Sequence, residues 1–261
     1  HDYNRWETTI GASFGKQDNF NQPGTGVVPV IPNFASFSYG IFGIQRYDYQ
    51  KWLAEVGLRY DYKYLNADGY DMYSQRYGGE HQFHNITYSA GALYRFDRWI
   101  NLSTNVGVAW RAPHVNELYS SGLHHGAGTY DLGDETLQSE TGIKWLTTFA
   151  YHNHKIWVNV DMYLQWIKNY IYDYPTGEVR TLFSGVYPIF QYTQADAFFR
   201  GVDLEARLPL IKWHRLNGYE LRYELKSSVV FANEMQTKRY FPFIPAPRLS
   251  QQLKWYIDPN G

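Results

Sequence analysis

With 261 residues at a formal net charge of −1, the chain offers no clustered basic face for nucleic-acid phosphates, and with no Cys it builds neither disulfides nor thiolate metal sites. It is 19% aromatic, with 25 Tyr, 15 Phe and 9 Trp, yet polar on average at a mean hydropathy of −0.50. No window approaches the roughly 18 consecutive apolar residues of a transmembrane helix, so a passage through a bilayer has to use alternating strands. The opening residues, His1-Asp2-Tyr3-Asn4-Arg5-Trp6, lack an initiator Met, a basic n-region and an apolar h-region, so a signal peptide is not expected within the sequence as given.

Alternation of apolar and polar residues predicts ten strands, near 3–14, 35–48, 52–64, 84–96, 99–111, 138–152, 155–169, 197–208, 218–231 and 248–257. In the third, Trp52, Ala54, Val56, Leu58, Tyr60, Tyr62 and Tyr64 oppose Glu55, Gly57, Arg59, Asp61 and Lys63. In the fifth, Ile100, Leu102, Thr104, Val106, Val108 and Trp110 oppose Asn101, Ser103, Asn105, Gly107 and Arg111. In the seventh, Ile156, Val158, Val160, Met162, Leu164 and Trp166 oppose Asn159, Asp161 and Gln165. These runs match the roughly 9 to 11 residues of a tilted membrane strand better than the roughly 5 to 6 of a soluble one.

The joints alternate in length. Tight ones fall at Tyr49-Gln50-Lys51, Asp97-Arg98 and Asn153-His154, and long ones at 15–33, 66–83, 112–137, 170–196 and 232–247. That order is up-and-down, with the first strand running outward and the tenth inward to Asp258-Pro259-Asn260-Gly261. The joint at 209–217 is irregular, and Ile211 and Trp213 are expected to extend its flanking strands. Aromatics near strand ends (Tyr60, Tyr62, Tyr64, Trp99, Trp110, Trp157, Trp166) suit the girdles at a membrane interface. A soluble sandwich also alternates; strand length and loop order favour an antiparallel, all-β transmembrane barrel, with its apolar parity toward lipid. No linker or repeat interrupts the order, so residues 1–261 read as one domain, an incomplete one.

The segment from Trp110-Arg111-Ala112-Pro113-His114-Val115-Asn116-Glu117-Leu118-Tyr119 to Gly126 resembles the strand-to-loop passage of TonB-dependent receptor barrels. Gly24 to Pro32, Val56 to Tyr62 and Arg200-Gly201-Val202-Asp203-Leu204-Glu205 resemble the same family, notably its Bacteroidetes members. The resemblance implies an outer-membrane receptor of a Gram-negative bacterium that actively imports an iron-siderophore, haem or a metal ion and is not an enzyme. It also implies a 22-stranded barrel closed by a plug, a type in which ten strands are only a part. The plug and the TonB contact would lie in parts outside this chain, and no bound cofactor is implied. A passive porin and an envelope enzyme built on a barrel are the competing readings.

Within 112–137, a segment expected outside the cell, His114, Glu117, Tyr119, His124 and His125 supply imidazole, carboxylate and phenol groups suited to a ferric siderophore, haem or metal ion. The alternative is that Arg111-Ala112-Pro113 ends a strand, Asn116 and Glu117 tie the loop back to the wall, and the His pair is solvated. Asp203 and Glu205 share the lumen-facing parity and, with Arg200, are expected to pair with a plug or a neighbouring strand; no G-x-S-x-G elbow, H-E-x-x-H helix or P-loop is present.

Overall fold

The structure is a computed structural model that describes residues 5–26, 29–70, 75–213 and 219–257. The expected strand starts at 3 and 218 and the terminal residues 258–261 lie outside the described residues. Ten long strands form one continuous antiparallel path: β1 (Arg5–Asn19), β2 (Asn33–Tyr49), β3 (Trp52–Tyr70), β4 (Arg76–Arg95), β5 (Ile100–Arg111), β8 (Glu140–His152), β9 (Trp157–Leu182), β10 (Gly185–Trp213), β11 (Tyr219–Glu234) and β12 (Arg248–Ile257). Each pairs with the next on the path, and β1 and β12 are not paired with each other. The sheet is therefore open. Between β5 and β8 stand a short helix, α1 (Val115–Tyr119), and two small strands, β6 (Ser121–His124) and β7 (Thr129–Leu132).

Burial is inverted relative to a soluble protein. On β3 the apolar parity is outward and open, with Val56 at 55% and Leu58 at 60% exposure, while the opposite parity carries Asp61, whose side chain is only 18% exposed. The outward rows continue through Ile86, Val106, Trp145, Met162, Val202 and Leu253, all exposed. Such a face belongs against hydrocarbon. Even its few hydroxyls satisfy one another: Trp145 donates its indole N–H to Thr104 Oγ1 at 2.8 Å, and Thr104 and Thr147 hydroxyls lie 3.2 Å apart.

The inward face is polar and internally paired. Arg59 Nε donates to Asp61 Oδ2 at 2.7 Å, Glu205 lies 3.0 Å from Arg207 and 3.1 Å from Lys226, and Lys254 meets Glu224 at 2.6 Å. Glu205 thus finds its partners in its own and the neighbouring strand. Two apolar clusters interrupt this face at the loop end. One joins Leu65 and Ala67 to Val115, Leu118, Tyr119, Leu137 and Ile171; the other seats Phe241 on Ala197 and Ala232.

Several expectations need correction. The segments 66–83 and 170–196 are mostly strand rather than loop, because the hydrogen-bonded ladders of β3 with β4 and of β9 with β10 continue past the apolar band. In the second case the ladder resumes beyond a bulge at Ala195/Ala197, opposite which Asn169 takes φ 57 and donates its N–H to Asp196 Oδ1 at 3.1 Å. Ile211 and Trp213 do extend β10, after a register shift at Pro209/Ile211. Trp157 is not in the outward girdle: odd positions of β9 face inward, and its ring stacks on His152 at 4.9 Å beneath the Arg207 guanidinium at 4.4 Å. Trp110 also turns aside, toward Asp61 Oδ2 at 3.4 Å, beyond the last β4–β5 pair at Ser89 and Gly107. The outward girdles are carried by Trp6–Tyr47 and Trp52–Tyr94 at the turn end, and toward the loops by Phe14–Phe37 and by Trp166, as expected, with Phe198.

The facing of the wall gives a direct expectation. Spin labels at Val106 and Val202 should be relaxed by lipid-soluble oxygen, and a label at Asn105 by a water-soluble nickel chelate; the reverse pattern would turn the sheet inside out.

Candidate loop-end ligand site

Pro113 has no N–H to continue the ladder of β5, so the chain leaves the sheet after Arg111. His114 then caps α1 with extended backbone (φ −82, ψ 159), and its N–H donates to Glu117 Oε2 at 2.7 Å. The same carboxylate accepts from Arg111 Nη1 at 2.7 and 2.9 Å, while Arg111 Nε donates to Glu140 Oε2 at 2.9 Å. One guanidinium therefore joins the end of β5, the cap of α1 and the start of β8. Asn116 adds a tether to the Tyr192 hydroxyl at 3.1 Å. Gly133 closes the base: a Cβ there would stand 2.5 Å from the backbone at Leu118 and Tyr119.

Past α1, the chain forms the β6–β7 hairpin. Ser121 N–H donates to Val30 O at 2.9 Å, and β7 lies parallel to the projecting part of β10, Tyr130 opposite Ile189. Asp131, 5% exposed, accepts from Thr129 Oγ1 at 2.6 Å and faces His124 Nδ1 at 3.1 Å. Behind it stands Asp173, on the part of β9 beyond the bulge. Its Oδ1 is buried with no hydrogen-bond partner among the described residues, and burial, with the nearby Asp131, pushes its carboxyl up to about 6.

The five residues singled out in the sequence do not form one cluster. Glu117 and Tyr119 are buried in the loop base: Glu117 in the Arg111 pair, and Tyr119 against His81 Nε2 at 2.6 Å, with burial pushing its phenol up to about 12. His114 is exposed at the helix cap, and partial burial of its ring lowers its pKa despite the attraction of Glu117. The two adjacent imidazoles diverge. His124 turns to Asp131, whereas His125 lines a groove of about 830 Å3 together with Gly122, Leu123, Tyr130 and Phe183. Phe183, at the tip between β9 and β10, is fully exposed. Among the described residues no group of three or more His, Cys, Asp or Glu is placed to hold a metal ion. Tyr130, Asp131, Asp173 and Phe183 carry no mark in the sequence, because only the docking of β7 on β10 brings them together.

An antiparallel wall that is apolar outside, ion-paired inside and crowned by a grooved loop is that of a transmembrane barrel receptor. The chain belongs to the TonB-dependent receptor family: the family model "TonB dependent receptor-like, beta-barrel" matches residues 1–261. Among solved structures it resembles the copper transporter OprC (TM-score 0.74, 14% identity, 96% of this chain and 39% of that one). It also resembles the hemophore receptor HasR of Serratia marcescens (0.66, 14%, 96% and 48%) and the FrpB iron transporter of Neisseria meningitidis (0.57, 14%, 90% and 35%). The family and these neighbours are receptors and transporters, not enzymes. At such identities the likeness concerns the fold, and the chain spans less than half the length of each.

Proposed function

We propose that residues 1–261 are a section of the barrel of an outer-membrane receptor, and that the whole protein actively imports an iron-siderophore, haem or metal complex. The observation that carries this reading is the groove at the loop end of a family barrel. Its volume lies within the range that suits a compact organic ligand, and it offers an exposed imidazole from His125 and an open ring from Phe183, with the nearly buried Tyr130 in its lining. A plug and the TonB complex, engaged through other parts of the protein, would supply closure and energy. Glu117 and Tyr119 hold the loop, and the open side chains beside the groove meet the ligand.

The side of the membrane and the role are tested separately. An epitope inserted at Gly126-Ala127-Gly128 of the full-length receptor should be labelled on intact cells; labelling only after lysis would reverse the strand direction. In cells supplied with limiting haemin, a panel of ferric siderophores or a copper salt, His125→Ala should reduce uptake of the true ligand about tenfold, as removal of one good interaction does, at unchanged receptor level. Wild-type uptake by that variant would remove His125 from the site.

A further inference from the structure

Arg200 is out of place. It pairs with Leu164 across β9 and with Phe231 across β11, and both partners belong to the outward, lipid-facing parity. The inward face, where Glu205, Arg207 and Lys226 satisfy one another, is on the other side of the strand. A guanidinium never loses its charge at ordinary pH, and a charge on the lipid face is tolerated only near the headgroups or with a partner. Among the described residues no carboxylate pairs with Arg200. Its neighbours are aromatic: its guanidinium carbon lies 5.7 Å from the ring centres of both Phe198 and Phe231. Phe198, one outward position nearer the loops, packs against Trp166 of the loop-end girdle with ring centres 5.2 Å apart, so Arg200 stands just beneath the level of the headgroups.

Directly beside this cation the wall is concave. A groove of about 540 Å3 runs across the outward face of β8 to β11, lined by Trp145, Thr147, Met162, Leu164, Val202 and Val229, with Arg200 at its rim. An apolar trough ending at an unneutralised, fork-shaped donor at headgroup depth has the shape and charge of a seat for one amphiphile. A second copy of this chain fits poorly, since the outward positions surrounding Arg200 present no carboxylate to it.

We propose that this groove holds an acyl chain of a phosphorylated glycolipid of the outer leaflet, a lipid A, with Arg200 on its phosphate. The choice of leaflet rests on the orientation proposed above: the loop-end girdle faces outward, where the phosphate-bearing lipid of a Gram-negative outer membrane is the phosphorylated glucosamine lipid. The Phe198 and Phe231 rings hold the guanidinium in place, and Val202 and Met162 form the floor on which the chain lies.

The test uses the full-length receptor purified in mild detergent and native mass spectrometry. The lipids offered are bis-phosphorylated lipid A, the same lipid A enzymatically dephosphorylated, phosphatidylglycerol and phosphatidylethanolamine. Wild type should retain bis-phosphorylated lipid A about tenfold better than the dephosphorylated form, which has no phosphate to accept the charge-assisted hydrogen bonds of Arg200. Arg200→Gln should abolish that preference, and Val202→Trp, which fills the groove and leaves the charge, should lower retention of every form. Equal retention by wild type and Arg200→Gln, no effect of Val202→Trp, or phosphatidylglycerol binding as well as lipid A would each overturn the proposal. Membrane fractionation separates this from the reading it rests on: a receptor absent from the outer-membrane fraction refutes the orientation, whereas one present there without lipid preference refutes the lipid seat alone.

Discussion

Replacement of Arg111 by Met is expected to cost about 3 kcal/mol and to free the loop between β5 and β8. Among the described residues, its side chain is the one cation hydrogen-bonded to two nearly buried carboxylates, Glu117 at 11% and Glu140 at 12% side-chain exposure. Removing it takes the cation from both and leaves each with a backbone donor, the His114 N–H on Glu117 and the Ile171 N–H on Glu140, and breaking a buried pair costs roughly 3 to 5 kcal/mol. The lower figure applies because the guanidinium itself is one-third exposed, which screens part of the attraction. The loss should fall on the loop first, since Glu117 caps α1 and Glu140 begins β8. Urea unfolding of the full-length receptor in detergent, together with limited proteolysis across 112–139, measures both effects. Arg111→Met combined with Glu117→Gln should recover part of the loss, because one of the charges left without a cation is gone; a single variant as stable and as protease-resistant as wild type would show that the network carries nothing.

The second large effect is expected at Val106. It faces outward at 43% exposure, in the row that joins Ala90 and Trp145. Arginine at a midplane position of a lipid-facing strand costs about 2 to 4 kcal/mol, and a lumen position far less. Val106→Arg should therefore lower folding stability in lipid vesicles by about 2 to 4 kcal/mol, while Asn105→Arg, one residue away on the other face, stays within about 0.5 kcal/mol of wild type, as surface substitutions do. Equal costs at the two positions would mean that the wall does not separate lipid from water.

Much of the wall was legible because it is built from a local rule. Alternation fixes which side chain faces which way, and Trp52 to Tyr64 shows it without any knowledge of partners. What failed were features governed by contact between distant segments. The ladders of β3–β4 and β9–β10 continue into regions rich in Gly, Asp and Pro because their partner strand continues too, which no single segment reveals. Trp157 reads as a girdle residue by type and position near a strand end, yet its parity places it inward on His152. At the site, a tie of Glu117 to the barrel wall and the divergence of the adjacent His124 and His125 were within reach of the sequence, whereas the partner of His124, Asp131 seven positions later, returns to it only through the β6–β7 hairpin. The meeting of Asp131 with Asp173 has no local signal at all.

The pairing order has a consequence for how the wall assembles. Most consecutive strands are joined by short connections, as at Gln50-Lys51, so each new strand can zip onto the last at little loop-closure cost. The longest connection is that of β8 to β5, where Arg111 faces Glu140 and the intervening chain holds α1, β6 and β7. Closing that connection, more than tenfold longer than the one at Gln50-Lys51, costs about 2 kcal/mol more in chain entropy than closing that turn. The Arg111 guanidinium draws in Glu117 near one end of the segment and Glu140 at the other, and so shortens the free chain at the slowest closure. The residues before β5 and those after β8 are then two zippers that start independently, and the Arg111–Glu140 pair is the stitch that makes them one sheet.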